Sequence, residues 1–368
     1  MTKKKILTLI GTRPQFIKYS VLSQYFNKFF NEILVDTGQH YSKRLAENFI
    51  KELRFKKPDY NLGVQHPDPV NQISEMMKKL TYVVEKEKPS LMICFGDTNS
   101  ALSGALVSVK MNVPLVHIEA GERNFDQSGA IVHPNSIPEE TNRVITDTIS
   151  DLLLCSSKRA VKNLKAENVR GRVEFTGDIM YDLYLNNNKR TSPGNSLFKS
   201  INLKPGAYYY CTVHRALNTD NKSRLEIIYK TINELDKPVV FPLHPRTKKA
   251  LGKYGILKKN SNKNNLIMLE PVGYTESLYL TNNAYFVLTD SGGVVREAYF
   301  SGVPSVMLDD TSEWKDIFLS GWSTLAGADR KKIKNSISNF KKPKKKPAFF
   351  GNGNASAKTI QSIINWYN

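Results

Sequence analysis

The stretch that decides the fold is SLMICFGDTNS, residues 90–100, in which an apolar run passes directly into a polar loop. Similar short apolar runs recur along the chain and alternate with stretches of helical periodicity. They fall at 6–10, 32–35, 90–95, 114–118 and 152–155, and again at 208–213, 238–243, 266–269, 285–289 and 304–308. Short apolar runs that alternate with helices are typical of parallel sheets buried on both faces. We therefore predict an α/β protein with two doubly wound, Rossmann-like domains.

The length of the chain agrees with two domains, because 368 residues correspond to about two domains of ordinary size. The second series of runs begins after residue 180. We predict an N-terminal domain over 1–180, a C-terminal domain over 181–354, and a final helix over about 355–368.

The chain is strongly basic, with 53 Lys and Arg against 34 Asp and Glu and a formal charge of +19. About half of the excess lies in residues 330–346, which hold nine basic residues and no acid. This lysine-rich run has no aromatic–basic repeat, zinc-finger spacing or helix-turn-helix pattern. We interpret it as a solvated face and predict no nucleic-acid partner. Attraction of anionic ligands or of a membrane surface, and nucleic-acid binding, are the alternatives.

No apolar run approaches the roughly 20 residues of a membrane-spanning helix, and the apolar stretch near the N-terminus is too short for a signal peptide. The cysteines, Cys94, Cys155 and Cys211, lie far apart in apolar runs, as reduced core thiols do. We predict a cytoplasmic protein that does not insert into membranes.

Polar residues follow the predicted strands at the points where they end. These loops fall at 11–14, 36–40, 96–100, 119–121, 214–215, 244–246 and 289–293. In open α/β sheets the ligand lies beyond the carboxyl ends of the strands. The loops carry Arg, His, Asp, Glu and Gly, which indicates an active site.

Ser291-Gly292-Gly293 follows a predicted strand and precedes a predicted helix. Two glycines allow a ligand to approach the backbone, and the helix start offers N–H groups to an anion. Glu297, one turn further on, could accept hydrogen bonds from a ribose. We predict a nucleotide site here, although an ordinary strand-to-helix turn is the alternative. The pattern is neither GxGxxG nor a Walker loop, which disfavours dinucleotide oxidoreduction and ATP hydrolysis.

Three acids, Asp97, Glu119 and Glu139, lie in or near strand-end loops of the first domain. A carboxylate in a desolvated cleft can act as a general base or acid. Helix capping or an ion pair is the structural alternative for each of them. His214 and His244 end strands of the second domain, where a structural role is the alternative.

Arg13 and Lys18 supply positive charge at the first strand end, and a simple surface pair is the alternative there. The sequence has no zinc-ligand spacing, no Asp-x-Asp pair and no nucleophile elbow. We therefore predict chemistry that uses neither a metal nor a cofactor.

Together these residues resemble the non-hydrolysing UDP-N-acetylglucosamine 2-epimerase family. The matching motifs occur in the family's order: GTRPQFIK (11–18), TGQH (37–40), GDTNS (96–100), HIEAG (117–121), PEETNR (138–143), TVHR (212–215) and TDSGG (289–293). The resemblance ends near FGNG (350–353) and so covers essentially the whole chain.

The resemblance implies the GT-B architecture, with two Rossmann-like domains facing across a cleft and a C-terminal helix that packs back on the first domain. It implies a UDP-sugar substrate, a homodimer and a role in surface polysaccharide synthesis. By position, the family's catalytic residues fall on Asp97, Glu119, Glu139 and His214. Its substrate-binding residues fall on Arg13, Lys18, Gln39, His40, Arg143, His244, Val272, Ser277, Ser291, Gly292, Gly293 and Glu297.

The implied reaction inverts C2 of a UDP-linked 2-acetamido sugar, by elimination of UDP to a 2-acetamidoglucal and its re-addition. The hydrolysing epimerases and the GT-B glycosyltransferases are the alternatives within enzymes. Several positions depart from the family pattern: Glu122 replaces the usual Leu, Leu217 and Arg296 replace acids, and Tyr41-Ser42 departs from the set linked to allosteric activation. The loop at 126–136 is longer than in most relatives. Residues 150–162 and 176–183 are closer to the branch that acts on diacetamido-uronic acids.

Overall fold

The protein forms two compact units in a computed structural model, which describes residues 3–39, 55–188, 203–257 and 265–367. Unit 1 holds the described residues within 1–123, 133–183 and 348–368. Unit 2 holds those within 124–132 and 184–347.

The strands are numbered in chain order over the described residues. They are β1 (Lys5–Ile10), β2 (Asn31–Asp36), β3 (Tyr60–Asn61), β4 (Leu91–Phe95), β5 (Leu115–Ile118), β6 (Phe125–Asp126), β7 (Leu152–Cys155), β8 (Arg172–Phe175), β9 (Tyr209–Thr212), β10 (Val239–Pro242), β11 (Leu266–Leu269), β12 (Phe286–Thr289), β13 (Ser305–Met307), β14 (Thr311–Ser312) and β15 (Ser323–Leu325).

The helices are numbered in the same way. They are α1 (Arg13–Phe29), α2 (Pro69–Glu87), α3 (Asn99–Lys110), α4 (Pro138–Ile149), α5 (Lys158–Ala166), α6 (Ile179–Asn188), α7 (Ala216–Thr219), α8 (Lys222–Asn233), α9 (Pro245–Lys253), α10 (Tyr274–Asn282), α11 (Gly292–Ser301), α12 (Lys315–Leu319), α13 (Arg330–Ser338) and α14 (Ala355–Tyr367).

Unit 1 is built on a seven-stranded sheet in the order β3-β2-β1-β4-β5-β7-β8. Every pair of neighbouring strands is parallel. Alternate residues of β1 enter different cores: Ile6 and Ile10 pack on one face, and Leu7 and Leu9 on the other. Both faces of the sheet are therefore covered, which explains why its strands are apolar throughout.

Unit 2 repeats this arrangement in a six-stranded sheet, β11-β10-β9-β12-β13-β15, which is again parallel. Tyr209 and Cys211 of β9 pack on one face, and Tyr210 packs on the other. The short strands β6 and β14 pair antiparallel in the same unit. The two sheets confirm the predicted α/β class with two Rossmann-like domains.

The helix starts are set by short polar side chains, as N-capping requires. Asp68, Thr98, Ser157, Asn221 and Ser291 each accept a hydrogen bond from an N–H of the first turn that follows. At α14 the acceptor comes from another helix, because the Asp182 carboxylate of α6 accepts from the N–H groups that open α14, at 3.0 and 2.7 Å. Helix α14 then packs in the core of unit 1 through Ile360 and Ile363.

All ten apolar runs found in the sequence are strands, with ends that shift by at most two residues. The described helices contain none that is long and apolar enough to cross a membrane. Cys94, Cys155 and Cys211 are buried and free, and burial raises the pKa of the Cys94 thiol to about 12. The prediction of buried core thiols is confirmed.

Candidate active site

Glu119 lies at the carboxyl end of β5 with its backbone in the left-handed region, at φ 68°. This conformation is uncommon for a residue with a side chain and is concentrated at functional sites. The Glu119 and Ala120 N–H groups hold it by donating to the Leu154 carbonyl of the neighbouring strand, at 3.0 and 3.2 Å. The turn after the strand therefore fixes the direction of a carboxylate.

The Lys18 ammonium of α1 pairs with the Glu119 carboxylate, with Nζ 2.5 Å from Oε2. Both side chains are largely buried, with 7% and 14% of their surfaces exposed. Gly96, at the end of β4, leaves room for this lysine, since a Cβ there would lie 3.3 Å from Nζ. The alternative of a simple surface pair is wrong for Lys18. Arg13, the first residue of α1, is half-buried.

Asp97, at the end of β4, forms an ion pair with the Arg143 guanidinium of α4. The Asn142 side chain donates to the Asp97 carbonyl at 2.9 Å, which fixes the same loop. Thr98, not Asp97, caps α3 by accepting from the Ala101 N–H at 3.2 Å. The capping alternative for Asp97 is therefore wrong, and its carboxylate serves the ion pair.

Glu139 lies in the first turn of α4 and is exposed. Its neighbour Glu140 is the buried acid, and accepts from Arg143 at 3.0 Å. Within the described parts of the chain, the structure brings Asp97, Glu119, Lys18 and Arg143 to neighbouring strand ends but leaves Glu139 outside their ion pairs.

A second, buried charge network is centred on Asp147 of α4. Asp147 of α4 receives the ring Nδ1 of His117 at 2.7 Å, the Arg123 guanidinium at 2.7 Å and the Gly121 N–H at 3.1 Å. Burial by itself would raise the pKa of Asp147, but His117 and Arg123 hold it below its ordinary value. The other ring nitrogen of His117 lies 2.7 Å from the Gly96 carbonyl. The network thereby joins the loops that carry Glu119 and Asp97.

The sequence predictions missed the supporting acids Glu140 and Asp147, although they named Arg143 as a substrate-binding residue. Their signal is helical spacing, because Glu140, Arg143 and Asp147 are three and four residues apart and so share one face of α4. That face is buried, which made the charges unexpected from their residue types alone.

Gln39, which follows β2, accepts from the Ser100 backbone N–H and hydroxyl at 3.1 and 2.7 Å. It is therefore tied to the start of α3, beside Asp97 in the chain. His40, the next predicted site residue, lies outside the described residues.

In unit 2 the strand ends are organised around Asp290, which follows β12 and is fully buried. Its carboxylate accepts from the backbone N–H groups of His214 and Arg215 at 2.9 Å each, and from the Asn218 side chain at 3.1 Å. The Arg215 guanidinium in turn pairs with Asp309 at 2.9 Å. Burial opposes the charge on Arg215, but Asp309, Glu313 and Asp290 raise the pKa of its guanidinium.

His214 and His244 each lie two residues beyond a strand, β9 and β10, and their rings lie 5.4 Å apart. The His214 side chain is 40% exposed, with Nδ1 3.4 Å from the Asp290 carboxylate. His244 caps α9 by accepting from the Arg246 N–H at 3.2 Å. A ligand at these strand ends would therefore meet two imidazoles.

Ser291 caps α11, so the first N–H groups of this ten-residue helix are offered at Gly292 and Gly293. A Cβ on Gly292 would lie 2.2 Å from the Glu313 carboxylate, and only glycine fits there without a shift. Glu297 is buried one turn on, and the neighbouring Arg296 stacks over the Trp314 ring at 4.4 Å. Ser277 shares a hydrogen bond with the Tyr210 hydroxyl at 2.8 Å, and Val272 packs against the core of this unit.

Two Rossmann-like units with charged and glycine-rich strand ends define the GT-B class of fold. A family model described as UDP-N-acetylglucosamine 2-epimerase matches residues 25–364. The chain therefore belongs to the UDP-N-acetylglucosamine 2-epimerase family, and the prediction of an epimerase from its motifs is confirmed.

Individual relatives match over nearly their whole length. The chain is 42% identical to a UDP-N-acetylglucosamine 2-epimerase homolog of Methanococcus maripaludis, over 98% of this chain and 99% of the relative. It is 38% identical to the UDP-2,3-diacetamido-2,3-dideoxy-D-glucuronate 2-epimerase of Pseudomonas aeruginosa, over 98% and 99%. A crystal structure of the Methanocaldococcus jannaschii UDP-GlcNAc 2-epimerase with UDP-GlcNAc and UDP superposes with a TM-score of 0.87 at 34% identity, over 98% and 99%.

Proposed function

We propose that this protein inverts C2 of a UDP-linked 2-acetamido sugar by eliminating UDP and adding it back. The C2–H bond has no neighbouring carbonyl to acidify it, so departure of UDP must assist its cleavage. A carboxylate takes the C2 proton, the C–H electron pair forms the C1=C2 bond, and the C1–O pair leaves with UDP. A proton then enters C2 from the opposite face, and a UDP oxygen re-forms the bond to C1.

The observation that carries this proposal is the pair of carboxylates at the ends of neighbouring strands. Glu119 and Asp97 each have a cationic partner, Lys18 and Arg143. Inversion requires proton transfer on both faces of C2 and hence at least two acid–base groups. The two ion pairs supply two such groups in one unit. Glu139, exposed in the first turn of α4, is a third proposed acid.

In unit 2, the exposed His214 ring and the Ser291–Gly293 backbone are suited to the leaving diphosphate, which needs N–H donors and positive charge. Glu297 would accept from the ribose hydroxyls. The remaining proposed substrate-binding residues are Arg13, Lys18, Gln39, His40, Arg143, His244, Val272 and Ser277.

For the sugar, the similar relatives carry two kinds of name, UDP-N-acetylglucosamine and a UDP-diacetamido glucuronate. We propose a UDP-2-acetamido sugar of one of these two kinds, used in surface polysaccharide synthesis. The chemistry at C2 is the same for both.

Proton NMR in deuterated water tests the proposal with each nucleotide sugar in turn. We expect deuterium at C2 together with the signals of the C2 epimer still attached to UDP. Exchange followed by free sugar and free UDP would instead indicate a hydrolysing epimerase. Absence of exchange with both substrates would contradict the proposed function.

A further inference from the structure

Glu122 is a buried acid in the same loop as Glu119, three residues further along the chain, with only 3% of its surface exposed. Its Oε1 accepts from the Ser156 hydroxyl at 2.5 Å and from the Ser157 hydroxyl at 2.8 Å. Both serines follow β7, the strand next to β5 in the sheet. The carboxyl is therefore fixed by the loop that follows the neighbouring strand.

Burial is the largest influence on Glu122, and it raises the pKa of the carboxyl to about 7. The two serine hydroxyls oppose this by stabilising the ionised form, the charge of Glu119 raises the pKa further, and Arg143 of α4 lowers it. Two further ionisable groups face this region. Cys155, on β7, interacts with the Glu122 charge, and the Arg123 guanidinium donates to the Glu122 carbonyl at 2.8 Å.

We propose that Glu122 is a positioning residue for proton transfer, which acts on the Glu119 carboxylate through its own charge. The inference rests on the proposed function. Two carboxylates repel each other when both are ionised, and the effect is mutual. Ionised Glu122 therefore makes Glu119 a better proton acceptor, whereas protonated Glu122 exerts no such repulsion on it. Glu122 thereby sets the pH at which C2 exchange is fastest, although it does not itself touch the sugar.

The first test is the pH profile of C2 exchange in Glu122→Gln, which keeps the shape and an acceptor oxygen but cannot ionise. In the unsubstituted protein we expect kcat for exchange to rise through a limb near pH 7. The variant should lose this limb, with kcat about three- to tenfold lower at pH 8 and little changed at pH 6. Retention of the limb, or an equal loss at every pH, would overturn the proposal.

Ser156→Ala should move the same limb of the pH profile to higher pH. A purely structural role of Glu122 predicts no such shift. Removing one hydroxyl destabilises ionised Glu122, so the limb should move to higher pH by about half a unit to one unit. Ser156 is the better choice because Ser157 also caps α5, accepting from the Ala160 N–H at 3.0 Å. Glu32→Gln is the matched control, since Glu32 is also buried in unit 1 but pairs with the Tyr19 hydroxyl at 2.8 Å. It should leave the limb in place.

A direct titration separates this inference from the proposed function. Carbon NMR of the Glu side-chain carboxyls, with the Glu122 signal assigned by its loss in Glu122→Gln, reports the midpoint without any turnover. Glu119→Gln removes the neighbouring charge and should lower that midpoint. An unchanged midpoint would overturn the coupling. Absence of C2 exchange in the unsubstituted protein would instead contradict the proposed function, and the titration would still decide the coupling.

Discussion

At the strand ends of unit 1, charged side chains pair with one another, whereas at those of unit 2 a buried acid is held mainly by backbone N–H groups. Glu119 and Asp97 have side-chain cations as partners. Asp290 accepts from two backbone N–H groups and an amide. The first arrangement places ionisable side chains at neighbouring strand ends, as the proposed proton transfer requires. The second fixes the backbone of the loop that carries His214, whose ring lies 5.4 Å from that of His244.

The largest effect that tests this comparison is on turnover. Glu119→Gln and Asp97→Asn each remove a proposed proton-transfer group and should lower the rate of C2 exchange by about 10²- to 10⁴-fold. Far-ultraviolet circular dichroism should show an intact fold, and Glu32→Gln serves as the buried-acid control. Near-normal exchange in either variant would remove that residue from the mechanism.

Next in size is the effect of removing the buried acids themselves. Asp147→Asn breaks a buried pair with Arg123 and should reduce the free energy of unfolding by about 3–5 kcal/mol. Asp290→Asn disturbs hydrogen bonds whose donors are two backbone N–H groups and an amide, and should cost about 1–3 kcal/mol. Urea denaturation of both variants measures the difference. Equal losses would contradict the contrast between the units.

Acid should reduce the stability difference between the unsubstituted protein and Asp147→Asn. The folded state holds the pKa of Asp147 below its unfolded value, so this group stabilises the fold at neutral pH and the stabilisation is lost as the pH falls through the folded pKa. The gap in unfolding free energy between the unsubstituted protein and Asp147→Asn should therefore narrow below about pH 4. A gap that stays constant from pH 7 to pH 3 would exclude this charge effect.

A matched pair of glycine substitutions tests the helix start of unit 2. Gly292→Ala would place its Cβ against the end of the Glu313 side chain, which must then shift, and should destabilise the protein by up to about 1 kcal/mol. In Gly293→Ala the nearest atom, the Ser291 hydroxyl, lies 3.7 Å away, so that variant should be tolerated. Thermal unfolding measures both. Similar melting temperatures for the two variants would show that Glu313 does not restrict this position.

The smallest effect is expected from the lysine-rich run. Lys341, Lys342, Lys344 and Lys345 are exposed on unit 2, and surface charges of this kind contribute little to folding or to a distant reaction. Replacing all four with Gln should change the exchange rate by less than about twofold at 0.15 M salt. A larger loss that grows at low salt and shrinks at high salt would indicate that the run attracts the anionic substrate.

Much of the fold could be predicted from the sequence because buried parallel strands are apolar on both faces. The runs at 6–10 and 90–95 became β1 and β4 for this reason. Strands without this signature were missed. β8 is largely half-buried at the edge of its sheet, and β15 has only three residues, Ser323–Leu325. Their pairing depends on neighbours that are distant in the chain.

The sequence by itself determined the family, the two-sheet class and the positions of Asp97, Glu119 and the Gly292-Gly293 turn, because these depend on local pattern and order. The tertiary structure alone decided which charges are partners. Lys18 of α1 reaches Glu119 in the turn after β5, His117 and Arg123 converge on Asp147, and Glu140, not Glu139, is buried. Such partnerships arise where strand ends meet at one edge of a sheet, and this depends on strand order in space, which spacing along the chain does not specify.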